Sequence, residues 1–134
     1  MRVVSWNMAY WTFASYKSHA NRRRQWSYLM ALAPDLALLQ ECRPGDLRDL
    51  LPGWSNAEYE VLGQFADCLN ACSVVLARNS LGPRFVHWSD SEGLPASSAR
   101  WLAYLAGYVA RAQVTVPGLG QVRVASVHAV AEEV

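Results

Sequence analysis

The spacing of apolar residues in the first third of the chain predicts a strand, a helix and a second strand. Residues 2–8 and 35–40 are short, continuous apolar runs, which are typical of buried strands. Between these runs, apolar residues recur at the 3.6-residue period of a helix: Trp26, Leu29, Met30 and Ala33. The pattern therefore predicts a helix over about 19–33 that covers a sheet containing both strands.

The residues at the helix boundaries agree with this interpretation. Ser18 is a suitable N-cap, because its hydroxyl can accept a hydrogen bond from the first helical turn. Pro34 ends the helix, because a proline disfavours helical conformation at the residue before it. Short connections between two strands and one helix are typical of a β-α-β unit, so we expect the two strands to be parallel, with a right-handed crossover.

The rest of the chain predicts one short helix and several strands. Pro44 is expected to open a helix that ends near Leu51, since proline is tolerated in a first helical turn. The apolar and β-branched runs predict further strands: 58–63, 71–77, 84–88, 104–116 and 120–127. The residues at 117–120 predict a hairpin. The expected fold class is α/β, with a mixed sheet and flanking helices.

Composition and charge narrow the function only slightly. The chain has 134 residues, of which 52% are hydrophobic, which is enough for the core of one domain. Its 12 basic and 11 acidic side chains give no overall field that would recruit nucleic acid or an anionic membrane, so any phosphate must be bound locally. No apolar run approaches the roughly 20 residues that span a bilayer, and the N-terminus does not resemble a signal peptide.

The three cysteines, Cys42, Cys68 and Cys72, indicate reduced structural thiols and a cytoplasmic location. Their number is odd and gives no disulfide framework. Cys68 and Cys72 are four residues apart and would share one face of a helix, but no histidine or second cysteine pair completes a zinc site. A zinc-binding or redox role remains the alternative.

Three of the predicted strands end in polar side chains that are suited to chemistry. Asn7 lies at the end of the first apolar run and Glu41 directly after the second, and parallel neighbours bring their carboxyl ends to one edge of a sheet. Carboxylate and amide oxygens are the ligands that Mg²⁺ or Mn²⁺ prefers. His128 ends the strand 120–127 and is suited to acid–base chemistry or to binding a phosphoryl oxygen. The alternative is that all three are ordinary strand-end residues.

Other residues give weaker signals. The arginines at 22–24 fan around a helix, so we expect a solvated face and not a phosphate clamp. Arg78, Arg100 and Arg111 lie at predicted strand or loop edges, where any one of them could reach a phosphate. The aromatic residues within 10–16 are equally compatible with base stacking and with a lid over the sheet.

Three segments together resemble the endonuclease/exonuclease/phosphatase superfamily, which has the deoxyribonuclease-I-like fold. These segments are Ser5-Trp6-Asn7-Met8, the run from Pro34 to Glu41 (Pro-Asp-Leu-Ala-Leu-Leu-Gln-Glu) and Ala125-Ser126-Val127-His128-Ala129. Members of this superfamily hydrolyse phosphoesters with a divalent metal, and their fold is a four-layer α/β/β/α sandwich of two sheets. The resemblance implies that Glu41 binds Mg²⁺ or Mn²⁺, that Asn7 supports the metal and the phosphate, and that His128 contacts the scissile phosphate.

The resemblance covers the whole chain but only the N-terminal half of the family pattern. The family's later Gly-Asp-X-Asn and Ser-Asp-His segments do not occur in residues 1–134. Residues 129–134 resemble the first turn of a helix, so we expect a single incomplete domain, truncated after the strand that carries His128.

This organisation implies a function that the chain holds only in part. The intact parent would hydrolyse phosphoesters in nucleic acid, in a phosphorylated small molecule or in a lipid head group. The alternative is a non-catalytic half-domain that dimerises or binds a partner. One sheet of a two-sheet sandwich would expose an apolar face available for self-association, with these residues among those exposed: Val74, Leu76, Val122 and Val124.

Overall fold

The computed structural model describes residues 1–9, 18–63, 72–87 and 108–128. Within these ranges lie two helices, α1 (His19–Ala31) and α2 (Gly45–Leu50). The strands, in chain order, are β1 (Val3–Asn7), β2 (Leu36–Cys42), β3 (Tyr59–Leu62), β4 (Cys72–Arg78), β5 (Arg84–Phe85), β6 (Val109–Val116) and β7 (Gly120–Val127). The predicted helical turn at 129–134 and the aromatic residues within 10–16 lie outside the described residues.

The first sheet has the strand order β1-β2-β4-β3. Strands β1 and β2 are parallel, with Val3 opposite Leu36 and Asn7 opposite Gln40. Strand β4 is antiparallel to both β2 and β3. Helix α1 connects the parallel pair, and the hydroxyl of Ser18 accepts a hydrogen bond from the backbone N–H of Asn21, as expected of an N-cap. The predicted parallel pair and the mixed sheet are confirmed.

The second sheet is antiparallel and has the order β5-β6-β7. Strands β6 and β7 form the predicted hairpin, with Val116 opposite Gly120. Gly118 and Gly120 have φ values of 82° and 80°, a region that only glycine adopts easily, so they allow the tight turn. Strand β5 is shorter than the predicted 84–88.

The two sheets stack, and the helices cover the outer face of the first sheet. Strand β4 shows the layers, because its residues alternate between two cores. Val74 and Leu76 pack with Trp26 and Leu29 of α1. The alternate residues of β4 pack with β6 of the second sheet; this group includes Val75, Ala77, Ala110, Ala112 and Val114. The described residues therefore form three layers, helix, sheet and sheet.

The expectation of an exposed inner face was wrong. Val74 and Leu76 are completely buried, and Val122 and Val124 are partly buried against the second core. Val74 and Leu76 are covered by the helix layer. Val122 and Val124 pack in the core between the sheets, because the chain contains strands of both sheets. The sequence pattern showed alternation but not the second layer.

The expectation of a solvated arginine face was wrong for Arg22. Its side chain is only 7% exposed, and its Nε donates a 2.7 Å hydrogen bond to Oδ2 of Asp46 in α2. Arg23 is also engaged, since its Nε donates to the backbone carbonyl of Leu50 at 3.1 Å. These contacts join α1 to α2. The apolar spacing within one helix gives no information about contacts with a segment that is distant in sequence.

Across the described part of the chain, no helix combines the length and the apolar character needed to cross a membrane.

Candidate metal and phosphate site

The site begins at a distortion in β2. The pairing of β2 with β4 shifts register between Leu39 and Cys42, which is the signature of a β-bulge. Within this bulge Glu41 has a φ of 47°, in the left-handed region that residues other than glycine seldom adopt. Strained conformations of this kind occur often at functional sites, because the surrounding contacts must hold them in place.

Asn7 and Glu41 meet at the common end of the two parallel strands. The Nδ2 of Asn7 donates a 2.9 Å hydrogen bond to Oε1 of Glu41. The Oδ1 of Asn7 accepts a 2.8 Å hydrogen bond from the backbone N–H of Ala9, which also has a positive φ. The amide is therefore held at both ends, with its nitrogen directed towards the carboxylate.

His128 completes the group from the second sheet. It directly follows β7, and its Nε2 lies 3.2 Å from Oε1 of Glu41. Its backbone N–H donates a 2.7 Å hydrogen bond to the carbonyl of Tyr108, and the two rings are 5.6 Å apart. The structure thus brings the three predicted residues together at one rim, as their positions at strand ends suggested.

Of the three residues at the rim, Glu41 alone supplies a carboxylate. Glu41 is 6% exposed, so an ion there would be partly shielded from water. Among the described residues, no group of three or more histidine, cysteine, aspartate or glutamate side chains could hold a metal ion. Divalent magnesium and manganese need more oxygen ligands than Glu41 and Asn7 offer. These residues therefore fit part of a metal site.

Arginines border Glu41, and the sequence analysis did not single out Arg43. A cavity of about 10 Å³ beside Glu41 is lined by side chains that include Arg22, Arg43 and Asp46. The Nε of Arg43 is 3.9 Å from Oδ1 of Asp46. The sequence signal for Arg43 was its position two residues after Glu41, the predicted metal ligand.

The arginines that sequence analysis left open now have distinct environments. Arg78 lies 3.3 Å from Oδ1 of Asp35, just before the start of β2 and therefore at the end opposite Glu41. Arg111 donates a 2.7 Å hydrogen bond to the carbonyl of His87. Arg100 lies outside the described residues. The structure does not bring Arg78 to the rim.

The cysteines of the described part are buried and reduced. Cys42 and Cys72 are partners across β2 and β4, and neither forms a disulfide. Burial raises the pKa of Cys42 well above its ordinary value, and the nearby Cys72 adds to this effect. A neutral, buried thiol is a poor nucleophile and a poor metal ligand. This environment favours the structural interpretation; Cys68 is outside the described residues.

A groove larger than the cavity beside Glu41 lies away from the rim. Its volume is about 750 Å³, and its walls come from α2, β3 and the segment around Asn79, with Trp54 among them. Asn7, Glu41 and His128 do not line it. Size alone would have pointed to this groove, but the convergent polar groups are at the rim.

A helix layer on a mixed sheet, a second sheet behind it and an Asn–Glu pair at the carboxyl ends of parallel strands define part of a deoxyribonuclease-I-like domain. Comparison with solved structures confirms this fold. A humanised zebrafish (D. rerio) TDP2 carrying 14 mutations matches with a TM-score of 0.53 and 18% identity, over 92% of this chain and 45% of that one.

A second match is zebrafish TDP2 in complex with a single-stranded DNA product, with a TM-score of 0.53 and 20% identity. It covers 92% of this chain and 43% of that one. The chain therefore spans less than half the length of the solved structures it matches, and the resemblance to the endonuclease/exonuclease/phosphatase superfamily is confirmed at the level of the fold. No protein-family model matches this chain. A search of the curated proteins also finds no match.

Proposed function

We propose that this chain supplies the N-terminal half of the site of a divalent-metal-dependent phosphoester hydrolase. The observation that carries the proposal is the position of Glu41, a largely buried carboxylate within hydrogen-bond distance of both Asn7 and His128. A carboxylate, an amide and an imidazole at the carboxyl ends of strands form a suitable rim for a phosphate ester.

Each residue has a proposed role. Glu41 would hold Mg²⁺ or Mn²⁺, with Asn7 orienting its carboxylate and supporting the metal and the phosphate. When bound, such an ion neutralises charge on the phosphoryl oxygens and polarises the phosphorus centre. His128, 27% exposed at its side chain, would donate a hydrogen bond to a phosphoryl oxygen. Charge-assisted hydrogen bonds of this kind stabilise the negative charge that develops during hydrolysis.

The substrate class we favour is nucleic acid. One structurally similar protein holds a single-stranded DNA product, and Arg22 and Arg43, which both pair with Asp46, line the small cavity beside Glu41. A phosphorylated small molecule or a lipid head group is the other phosphoester class that the rim would accept. The reduced cysteines are consistent with our proposal of a cytoplasmic location.

Manganese titration followed by NMR tests the metal assignment. Mn²⁺ broadens nearby resonances, so we expect the side-chain signals of Asn7 and His128 to lose intensity first. Binding should be weak, because one carboxylate replaces little of the hydration shell. Glu41→Ala should abolish the selective broadening, whereas Glu60→Ala, which removes an exposed carboxylate from β3, should preserve it. Selective broadening that persists in Glu41→Ala would refute the assignment.

A second candidate function, a dimerising or partner-binding half-domain, is favoured by the strand edges. In the described sheets β1 and β7 are terminal strands. Val3 on β1 is 49% exposed, and Val127 on β7 is 56% exposed. An open edge with apolar side chains readily pairs with another strand. Sedimentation velocity should then show self-association that Val3→Lys weakens; a monomer at high concentration would remove the support for this candidate.

A further inference from the structure

A buried polar contact joins the two sheets immediately behind the rim. The Nε2 of Gln40 donates a 2.8 Å hydrogen bond to Oγ of Ser126, and a second of 3.0 Å to the carbonyl of Leu38. The hydroxyl of Ser126 in turn donates a 2.7 Å hydrogen bond to the carbonyl of Leu39. Gln40 is 9% exposed and Ser126 is completely buried.

The contact links the segments that carry the site. Gln40 directly precedes Glu41 in β2, and Ser126, in β7, lies two residues before His128. The two side chains are 86 residues apart in sequence. Each residue therefore stands next to one of the groups that face each other across the rim, and the hydrogen bond fixes the position of β7 relative to β2.

The contact also supports the bulge. The register shift between Leu39 and Cys42 interrupts the ladder to β4, so the backbone groups there need other partners. The carbonyl of Leu39 accepts from Ser126, and the carbonyl of Gln40 accepts from the backbone N–H of Met8 at 2.8 Å. The two residues before Glu41 are thereby held by β7 of the second sheet and by Met8, which follows β1.

A serine and a glutamine are poor choices for packing alone. The faces around them are apolar, and Val124, Val122 and Leu38 pack nearby in the same layer. Burying two polar side chains among such residues is tolerated only when their hydrogen bonds are made, and a satisfied network then selects one arrangement.

We propose that Ser126 and Gln40 are positioning residues that hold His128 against Glu41 in the geometry needed for phosphoester chemistry. The proposal rests on the function proposed above, but its structural part concerns the metal-free chain. Without the Ser126 hydroxyl, the end of β7 would move relative to the bulge, and His128 would lose its fixed distance from Glu41.

Nuclear Overhauser effects provide the test, because they report the distance between His128 and Glu41 without metal or substrate. We expect cross-peaks between the ring protons of His128 and the side chain of Glu41 in the unmodified chain. Ser126→Ala should reduce them at least threefold, and Ser126→Thr, which keeps the hydroxyl, should restore them. Val114→Ala is the matched control, because it removes methyl groups from the same inter-sheet core and leaves the hydrogen bonds in place. It should leave the cross-peaks unchanged.

Three results would overturn the proposal: no cross-peaks in the unmodified chain, full cross-peaks in Ser126→Ala, or equal losses in Ser126→Ala and Val114→Ala. If Ser126→Ala does not fold, Gln40→Met, which keeps the length of the side chain and removes the donor, is measured in its place with the same expectations. Manganese titration separates this proposal from the function. If Mn²⁺ broadens no signal selectively but the cross-peaks behave as expected, the metal assignment fails and the positioning role remains.

Discussion

At the scale of single residues, the site depends on a backbone conformation that its side chain does not favour. Glu41 is held with a φ of 47° by its position in the bulge and by contacts to Asn7 and His128. A left-handed conformation costs an L-residue roughly 1–2 kcal/mol. Retaining a glutamate at such a position is understandable if its carboxylate has a function.

Replacing Glu41 by alanine and by glycine separates strain from chemistry. Both substitutions remove the carboxylate, but only glycine adopts the left-handed conformation without cost. We expect Glu41→Gly to have a free energy of unfolding about 1 kcal/mol higher than that of Glu41→Ala. Urea unfolding measures the difference. An equal or lower stability for the glycine variant would mean that the backbone at this position is not strained.

The pH dependence of stability reports the environment of Asp46. Burial raises the pKa of Asp46 from its ordinary value of 3.8, and the positive charge of Arg22 opposes this shift. The folded state therefore retains the Asp46 proton to higher pH than the unfolded state does. This contribution to stability is fully present below pH 3.8 and is lost as the pH rises through the raised pKa.

Asp46→Asn should remove the decrease in the free energy of unfolding that Asp46 causes as the pH rises. Urea unfolding between pH 3 and pH 7 measures it, with Asp49→Asn, an exposed neighbour on α2, as the control. A profile that keeps its downward component in Asp46→Asn would show that another group is responsible.

At the scale of elements, the sequence pattern predicted an end of helix α1 that is later in the chain than the observed end. The apolar spacing predicted a helix to about residue 33, but it ends at Ala31, and Ala33 has a φ of 46°. The N–H of Ala33 bonds to the carbonyl of Met30, which is typical of a left-handed helix cap. The apolar pattern included Ala33 because its side chain fits the spacing, whereas its backbone is already outside the helix.

Ala33→Gly should stabilise the fold. Glycine adopts the left-handed conformation freely, so we expect the free energy of unfolding to rise by about 0.5–1 kcal/mol. Ala31→Gly is the matched control: Ala31 is also exposed but lies within the helix, where glycine should lower stability by about 0.5–1 kcal/mol. Thermal or urea unfolding compares the two. The same sign for both changes would contradict this account of the cap.

At the scale of the whole molecule, the chain contains strands of two stacked sheets. The described residues supply one helix layer and two stacked sheets. The chain corresponds to less than half the length of the structures it resembles. Hydrolysis of a phosphoester requires a nucleophilic water held opposite the leaving group. In this structure the side chains of Asn7 and His128 both contact the carboxylate of Glu41.

We expect the isolated chain to have no phosphodiesterase activity. Positioned groups of this kind typically contribute orders of magnitude to the rate, and among the described residues no group of three or more histidine, cysteine, aspartate or glutamate side chains could hold a metal ion. The assay uses bis-p-nitrophenyl phosphate and single-stranded DNA with Mg²⁺ or Mn²⁺. Turnover that Glu41→Ala abolishes, with Glu60→Ala unaffected, would show that the chain carries a complete site.

The sequence by itself determined the parts of this protein that depend on local pattern. Period and composition predicted the β-α-β unit, the mixed sheet and the hairpin, because backbone preferences and side-chain alternation act over a few residues. The same patterns located Asn7, Glu41 and His128, since each lies at or just after the end of an apolar run, where a strand is expected to end.

Tertiary structure alone decided which distant groups meet. Arg22 pairs with Asp46, 24 residues away, and Gln40 with Ser126, 86 residues away. It also decided that Val74 and Leu76 are covered by helices while Val75 and Ala77 face a second sheet. Local spacing shows that a face is apolar or that a side chain is polar. The partner is set by the packing of whole layers, in which burial makes an unpaired polar group costly and selects the one arrangement that satisfies it.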